Sequence, residues 1–260
     1  LHPELAGQLN TLSDGDGALL WLDSDGLPLY ADAHAKTFRE AVELLHRNPA
    51  LQRAASLRFL PAVGPLHALM LKAKLSAEHG FRPSENDVRP TNYFTVRFHP
   101  NEKGKLQAQI RPLSDGLYPD RPNGLFLHKK AAKRALDAWA REQQFCPAEL
   151  NILPPGYDRN APCPVAAVGR CQGQCGNIGE AARQRQRIET AARLLPVADW
   201  GKAHQIEICE TDTLNGRRLS FHCAGGALQM PDGSWYFDRK LPAVFKEKFR
   251  AHRNDIAVSF

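Results

Sequence analysis

Four of the six cysteines fall within a 30-residue stretch, Cys146, Cys163, Cys171 and Cys175, spaced C-x16-C-x7-C-x3-C. Thiols this dense point to a disulfide framework, a metal centre or chance. The opening residues LHPELAGQLN lack a basic stretch followed by an apolar core, so no secretory segment is read there and nothing argues for an oxidising compartment. Disulfides are therefore disfavoured and a cytoplasmic location is expected. Structural zinc sites usually carry a close cysteine pair at each end, and here only Cys171 and Cys175 are close. A [4Fe–4S] cluster bound by four thiolates tolerates irregular spacing, because a loop can wrap around its corners. Gly173 and Gly176, within Arg170-Cys-Gln-Gly-Gln-Cys-Gly176, would let the backbone bend around such a group. On spacing alone, iron–sulfur, zinc and no metal all remain open. Cys209 and Cys223 lie in strand-like runs and read as buried free thiols.

The second chemical signal is positive charge. The chain carries a formal +6, unevenly placed: residues 1–120 hold 13 Lys/Arg against 14 Asp/Glu, whereas residues 121–195 hold 12 against 6. A basic surplus confined to one segment suits a phosphate-binding surface; the competing reading is a solvated helical face. Lys129, Lys130, Lys133, Arg134 and Arg141 crowd one predicted helix, and Arg183, Arg185, Arg187 and Arg193 a second.

These residues need a scaffold, and 260 residues suffice for one large domain or two small ones. With 43 % hydrophobic and 24 % charged residues the chain has the composition of a folded domain, and no apolar run approaches the ~18 residues of a membrane-spanning helix. It opens on Leu1 rather than Met, and a piece of a longer chain is the expectation. Ala18–Leu22 and Leu27–Tyr30 flank Asp23-Ser-Asp-Gly26, a hairpin signal. Phe38, Ala41, Val42 and Leu45 have the spacing of a helical stripe, and Ala68–Glu78 predicts another helix packed through Leu69, Leu71 and Leu75. Asn92–Phe98 alternates as a strand does, with Lys105–Arg111 its partner across Asn-Glu-Lys-Gly. Pro112–Asn123, rich in Pro, Gly and Asp, reads as a linker. His128–Phe145 is predicted helical, with Ala132, Ala135, Leu136 and Trp139 facing inward, and Ile178–Leu195 likewise. The tail predicts a small β-meander, His204–Glu210, Arg218–Cys223 and Ser234–Phe237, closed by a helix around Phe245–His252.

The run Gly124-Leu-Phe-Leu-His-Lys-Lys-Ala-Ala-Lys-Arg-Ala-Leu136, followed by Phe145-Cys146, Cys163 and Arg170-Cys-x3-Cys175, resembles the UvrC/Cho family of bacterial excision nucleases over roughly Leu9 to Leu195. In that family a GIY-YIG nuclease domain precedes a four-cysteine segment that holds a [4Fe–4S] cluster in UvrC, so the resemblance implies such a cluster on Cys146, Cys163, Cys171 and Cys175. It further implies an α+β chain in three parts. These are a degenerate GIY-YIG-like domain (1–115), a basic helical segment with the cysteines (116–195) and a small β-rich C-terminal subdomain (196–260). The family's catalytic positions are altered. Its first tyrosine motif reads Asp16-Gly-Ala-Leu19, its second reads Pro28-Leu-Tyr30-Ala-Asp32, and the helix arginine aligns with Arg39. The metal-binding glutamate of its Leu-Leu-Glu-Ala run is Lys72, in Met70-Leu-Lys-Ala73. The family hydrolyses a phosphodiester with a divalent cation on that glutamate, a water-activating tyrosine and an arginine on the transition-state charge. A lysine ammonium repels the cation, so Leu19, Tyr30, Arg39 and Lys72 imply a nuclease-like fold without nuclease activity.

Three functions follow as expectations. The first is a DNA-binding accessory module of a repair or replication nuclease, contacting phosphates through Lys129, Lys130, Lys133, Arg134, Arg170, Arg183 and Arg187. Its partner would be a nuclease, either another repair or replication protein or an exonuclease domain in the same chain similar to the epsilon subunit of DNA polymerase III. The second is an active endonuclease using other carboxylates, although Glu78, six residues past Lys72, points about 240° away from it on a helix. The third is an iron–sulfur redox sensor.

Overall fold

The computed structural model describes residues 2–12, 14–81, 92–153, 164–169, 181–200, 203–212, 214–251 and 256–259. Within these the chain mixes helices with three antiparallel sheets, an α+β architecture.

The first sheet is built around a strand buried on both sides. The predicted hairpin forms from β1 (Gly17–Leu22) and β2 (Pro28–His34), its turn held by the Asp23 carboxylate, which accepts from the amides of Asp25 and Leu27 at 3.0 and 2.8 Å. Strand β3 (Ser56–Pro61), which follows a 3-10 turn at Pro49–Arg53, pairs with the other edge of β1, so the order is β2-β1-β3. Leu19 and Trp21 pack with Leu5 and Leu9 of α1 (Pro3–Thr11) and Ala41 of α2 (Thr37–Arg47). Ala18 and Leu20 pack with Leu75 of α3 (Pro65–Glu78) on the opposite face. Two covered faces explain the unbroken apolar run Ala18-Leu-Leu-Trp21. The predicted stripe of α2 needs one correction. Phe38 is 41 % exposed, and Leu44 joins Ala41 and Leu45 against the core, because the helix is rotated to seat Ala41 closest to the sheet.

The second sheet, order β5-β4-β7, supports the basic helices. Strand β4 (Phe94–Pro100) pairs with β5 (Leu106–Pro112) across the predicted turn, and β7 (Asn123–Phe126) lies on its other side. Val96, Phe126, Ala132, Leu136, Trp139 and Ile188 form its core, with Phe94 and Phe98 packed against it. Thus α4 (Lys129–Glu142) and α6 (Ala181–Ala191) share one apolar floor; between them lies the single-turn α5 (Pro164–Ala167). Gln184 of α6 satisfies both backbone groups of Leu106, accepting from its amide at 2.8 Å and donating to its carbonyl at 3.1 Å, and so stitches the helix to the outer edge of β5.

The third sheet has six strands, order β12-β8-β9-β10-β11-β6. Its members are β8 (Gln205–Thr211), β9 (Arg218–Ala224), β10 (Ala227–Gln229), β11 (Trp235–Phe237), β12 (Ile256–Ser259) and β6 (Gly116–Tyr118). The meander therefore exists but is larger than predicted. The segment expected to be a linker contributes β6, because Leu117 pairs with Tyr236 and gives β11 a partner. Helix α7 (Leu241–Ala251) buries Phe245 against Trp200, ring centroids 5.2 Å apart. The largest core joins Leu66, Leu69 and Ala73 of α3 with Leu113, Leu125, Ile206, Phe221, Phe237 and Phe245, so residues from all three predicted parts share it.

Candidate functional site: a buried ion cluster and a basic helical face

Helix α3 is positioned from its N-terminus by a residue 144 positions away. The buried Glu210 carboxylate accepts from the amides of Leu66 (3.0 Å) and His67 (3.1 Å), two of the donors a helix start leaves unpaired, and takes a 3.1 Å ion pair from Lys248 Nζ. A Cβ at Gly64 would sit 2.5 Å from the Glu210 carboxyl carbon, so this approach needs a glycine. Nothing local in the sequence around Pro65 announces such a cap.

Held this way, α3 presents Lys72 to a closed cluster of charges. Lys72 Nζ lies 3.1 Å from Asp32 Oδ1 and donates to Asp238 Oδ2 at 2.8 Å. Asp32 also receives Lys240 Nζ at 3.1 Å on each oxygen, and that ammonium donates to the Ala33 carbonyl at 2.6 Å. Asp238 accepts further from Tyr236 Oη at 2.9 Å and from the Lys240 amide at 2.8 Å. Two carboxylates and two ammoniums therefore balance. Burial alone would raise both carboxyl pKa values, but Lys72, with Lys240 beside Asp32, outweighs it and holds both below the usual range. Burial likewise opposes the Lys72 charge, yet Asp32, Tyr236 and Asp238 overcome it and hold the ammonium protonated. The cluster ties β2 and α3 to the segment after β11.

Of the other expected catalytic positions, neither Leu19 nor Arg39 makes a hydrogen bond or ion pair to Lys72 among the described residues. Leu19 is fully buried in the core against α1 and α2. Tyr30 is half-buried and packs against that same core. Arg39 is exposed on α2, paired with Glu43 at 3.3 Å. Glu78 is exposed and pairs with Lys74 at 3.8 Å, away from Lys72 as the helical rotation predicts. The members of the cluster from the C-terminal region escaped sequence reading, since Asp238 and Lys240 sit in an ordinary turn sequence.

Of the cysteines, Cys146 is described and buried, just beyond α4, where its carbonyl accepts from Leu150 N at 3.1 Å. Cys163, Cys171 and Cys175, together with Arg170, lie outside the described residues. Among the described residues no three His, Cys, Asp or Glu side chains are grouped to hold a metal. Cys223 is a buried thiol, its pKa pushed up by burial and by Glu210, as a structural thiol requires. Cys209 differs from expectation in being only half-buried, because β8 alternates and places it opposite Ile206 and Ile208, which face the core.

The basic helix is laid out as its periodicity predicts. Ala132, Leu136 and Trp139 are buried, and Trp139 Nε1 donates to the Ala191 carbonyl of α6 at 2.8 Å. Lys129, Lys130, Lys133 and Arg134 are exposed at its N-terminal end, with no acidic residue in the first turn. That end already carries the positive pole of the helix dipole. Four cations there oppose helix stability and concentrate positive potential. Arg183 and Arg187 are exposed on α6, and Arg187 Nη2 donates to the Gln143 carbonyl at 3.0 Å, binding α6 to the end of α4. No helix among the described residues is long and apolar enough to cross a membrane.

Residues 93–194, which span β4 through α6, match the family model described as the middle domain of the UvrC/Cho excinuclease. Over 207 residues the chain is 28% identical to the excinuclease Cho of Escherichia coli O157:H7, of Shigella flexneri and of Escherichia coli strain K12, covering 76% of this chain and 68% of each relative. Over the residues that build this sheet and its basic helices, and more widely along the chain, the sequence is similar to that of the UvrC/Cho excinucleases.

Proposed function

We propose that this chain is a DNA-binding module of excision-repair type whose own nuclease-like sheet does not cut. The observation that carries the reading is the exposed quartet Lys129, Lys130, Lys133 and Arg134 on the dipole-positive end of α4, inside the segment similar to the excinuclease middle domain. A surface so arranged suits phosphates, which would relieve the like-charge crowding. The absence of cutting is supported by Lys72. A divalent cation would have to displace an ammonium already paired with Asp32 and Asp238, and no other carboxylate among the described residues contacts that cluster. We further propose that Cys146, Cys163, Cys171 and Cys175 hold one [4Fe–4S] cluster, four thiolates for four irons, with zinc the competing occupant. The cluster would stiffen the chain between α4 and α6 and so fix the basic faces relative to each other. A partner nuclease would supply the cleavage.

The test is a Lys130→Glu/Arg134→Glu double variant assayed for duplex binding by fluorescence anisotropy at ~100 mM salt. Both side chains are exposed, so folding should be unaffected while binding falls by more than tenfold. Affinity equal to the parent refutes the assignment of DNA to this face. Mg2+- or Mn2+-dependent nicking by the parent, lost in Arg39→Ala, would restore the endonuclease reading.

A further inference from the structure

A cavity of about 630 Å3 opens where the end of α4, α6 and the start of β8 meet the loop before β7, within the ~300–1,000 Å3 typical of ligand sites. Arg121 and Arg193 line it, and no Asp or Glu does among the described residues. Two guanidiniums sharing one cavity without a carboxylate repel each other; burial, with Arg193 second, lowers the Arg121 pKa. Arg121 is held there by its neighbour. The Pro122 carbonyl packs against the two-residue Gly225-Gly226 turn, where both φ values are positive (60° and 81°) and a Cβ on Gly225 would collide with that carbonyl.

The opposite wall presents Phe145 and Arg187, backed by two further aromatic rings. The Arg187 guanidinium covers Phe145 at 4.9 Å, and behind it Phe145 lies tilted against Trp139 (4.9 Å, 32°) and Trp139 against Phe98 (5.6 Å, 41°). The bond from Arg187 to the Gln143 carbonyl pins that guanidinium, and the side chain is otherwise exposed. Its outer face is left for a flat partner, and planar guanidiniums stack on nucleobases. His204 also lines the cavity, with its Nδ1 buried and unpartnered among the described residues.

We propose that this cavity receives one unpaired nucleotide of a DNA strand, its phosphate between Arg121 and Arg193 and its base on Arg187. The inference rests on the DNA reading above and names the feature of DNA that the site selects. A strand, rather than a free nucleotide, fits the layout. The 14 residues of α4 span ~21 Å from the basic N-terminal end to the cavity end, about six steps of 3.4 Å along a duplex strand. One DNA molecule can therefore touch both.

The experiment uses the full chain and two labelled duplexes, one fully paired and one with unpaired nucleotides at its centre, with anisotropy measured across a salt series. The parent should prefer the unpaired probe about tenfold, in keeping with the worth of one stacked base. Arg121→Gln/Arg193→Gln should erase that preference and reduce the salt slope on that probe by roughly 0.7, at ~0.7 per phosphate contact, while leaving the paired probe unaffected. Its melting temperature should equal or exceed the parent's, because a repulsion is removed. Arg187→Lys keeps the charge and loses the plane. It should lower the preference without changing the salt slope, and an abasic nucleotide at the unpaired position should reduce the parent to the same level. A parent without preference, or an Arg121→Gln/Arg193→Gln variant that retains it, overturns the proposal, as does an abasic probe bound like the intact one. A mononucleotide that competes as well as the oligonucleotide would overturn the strand assignment. If Lys130→Glu/Arg134→Glu binds like the parent while the cavity variant loses its preference, the α4 reading fails and the cavity stands.

Discussion

Replacing Lys72 by Met removes one of two ammoniums from a buried cluster while keeping the aliphatic stem. Asp32 would retain Lys240 at 3.1 Å on both oxygens. Asp238 would retain the Tyr236 hydroxyl and the Lys240 amide but no contacting cation. The variant thus creates one buried carboxylate without a counter-ion, a defect that typically costs ~3–5 kcal/mol. Protonation sets a ceiling on that cost. Keeping an ordinary aspartic acid neutral at about pH 7 requires ~4 kcal/mol, at 1.36 kcal/mol for each of about three pH units above its unperturbed value, and only ~1 kcal/mol at about pH 4.5. The sign follows from the two folded states. In the parent, Asp238 is held below its unfolded pKa, so its contribution is present above about pH 4 and is lost only as pH falls through that lowered value. In the variant its folded pKa rises above the unfolded one, so stability is lost as pH rises past about 4. The gap between parent and variant should therefore be about 3–4 kcal/mol near neutrality and near 1 kcal/mol at about pH 4.5. Urea unfolding followed by tryptophan fluorescence and circular dichroism measures it. A gap below ~1 kcal/mol at neutral pH, or one equally large at both pH values, refutes the idea that Lys72 is the counter-ion of this cluster.

Gly64→Ala should destabilise the chain by roughly 1–3 kcal/mol through a clash with Glu210, since φ there is extended and adds no strain; a urea midpoint unchanged from the parent would dismiss the close approach. Asp16, whose pKa burial raises to about 6 with Glu210 adding to it, is penalised when charged. Asp16→Asn should therefore be more stable than the parent above about pH 6 and lose that advantage below about pH 4, read from melting temperatures across pH. Cys171→Ser should lose the metal and most of the soluble yield, because metal-binding energy is partly folding energy; iron, sulfide and zinc assays on protein purified without oxygen decide between the cluster and zinc, and metal-free parent protein would dismiss both.

The elements whose chemistry is local were legible in the chain itself. The Asp23 turn, the alternation of Phe94, Val96 and Phe98, and the inward stripe of Ala132, Leu136 and Trp139 each follow from a periodicity of two or 3.6 residues, and the structure places them so. The substitution at Lys72 was also visible, as a charge of the wrong sign. What it does was not, because Asp238, which neutralises it together with Asp32, is 166 residues away in sequence and comes from a turn with no pattern of its own. Long-range pairing explains the other differences too. Gly116–Tyr118 has the composition of a linker and becomes a strand only because Trp235–Phe237 offers it an edge. Glu210 caps a helix that begins with no capping residue of its own, and Arg121 meets Arg193 only after two sheets have closed around them. Local periodicity determined which residues face inward; tertiary packing decided which charges meet.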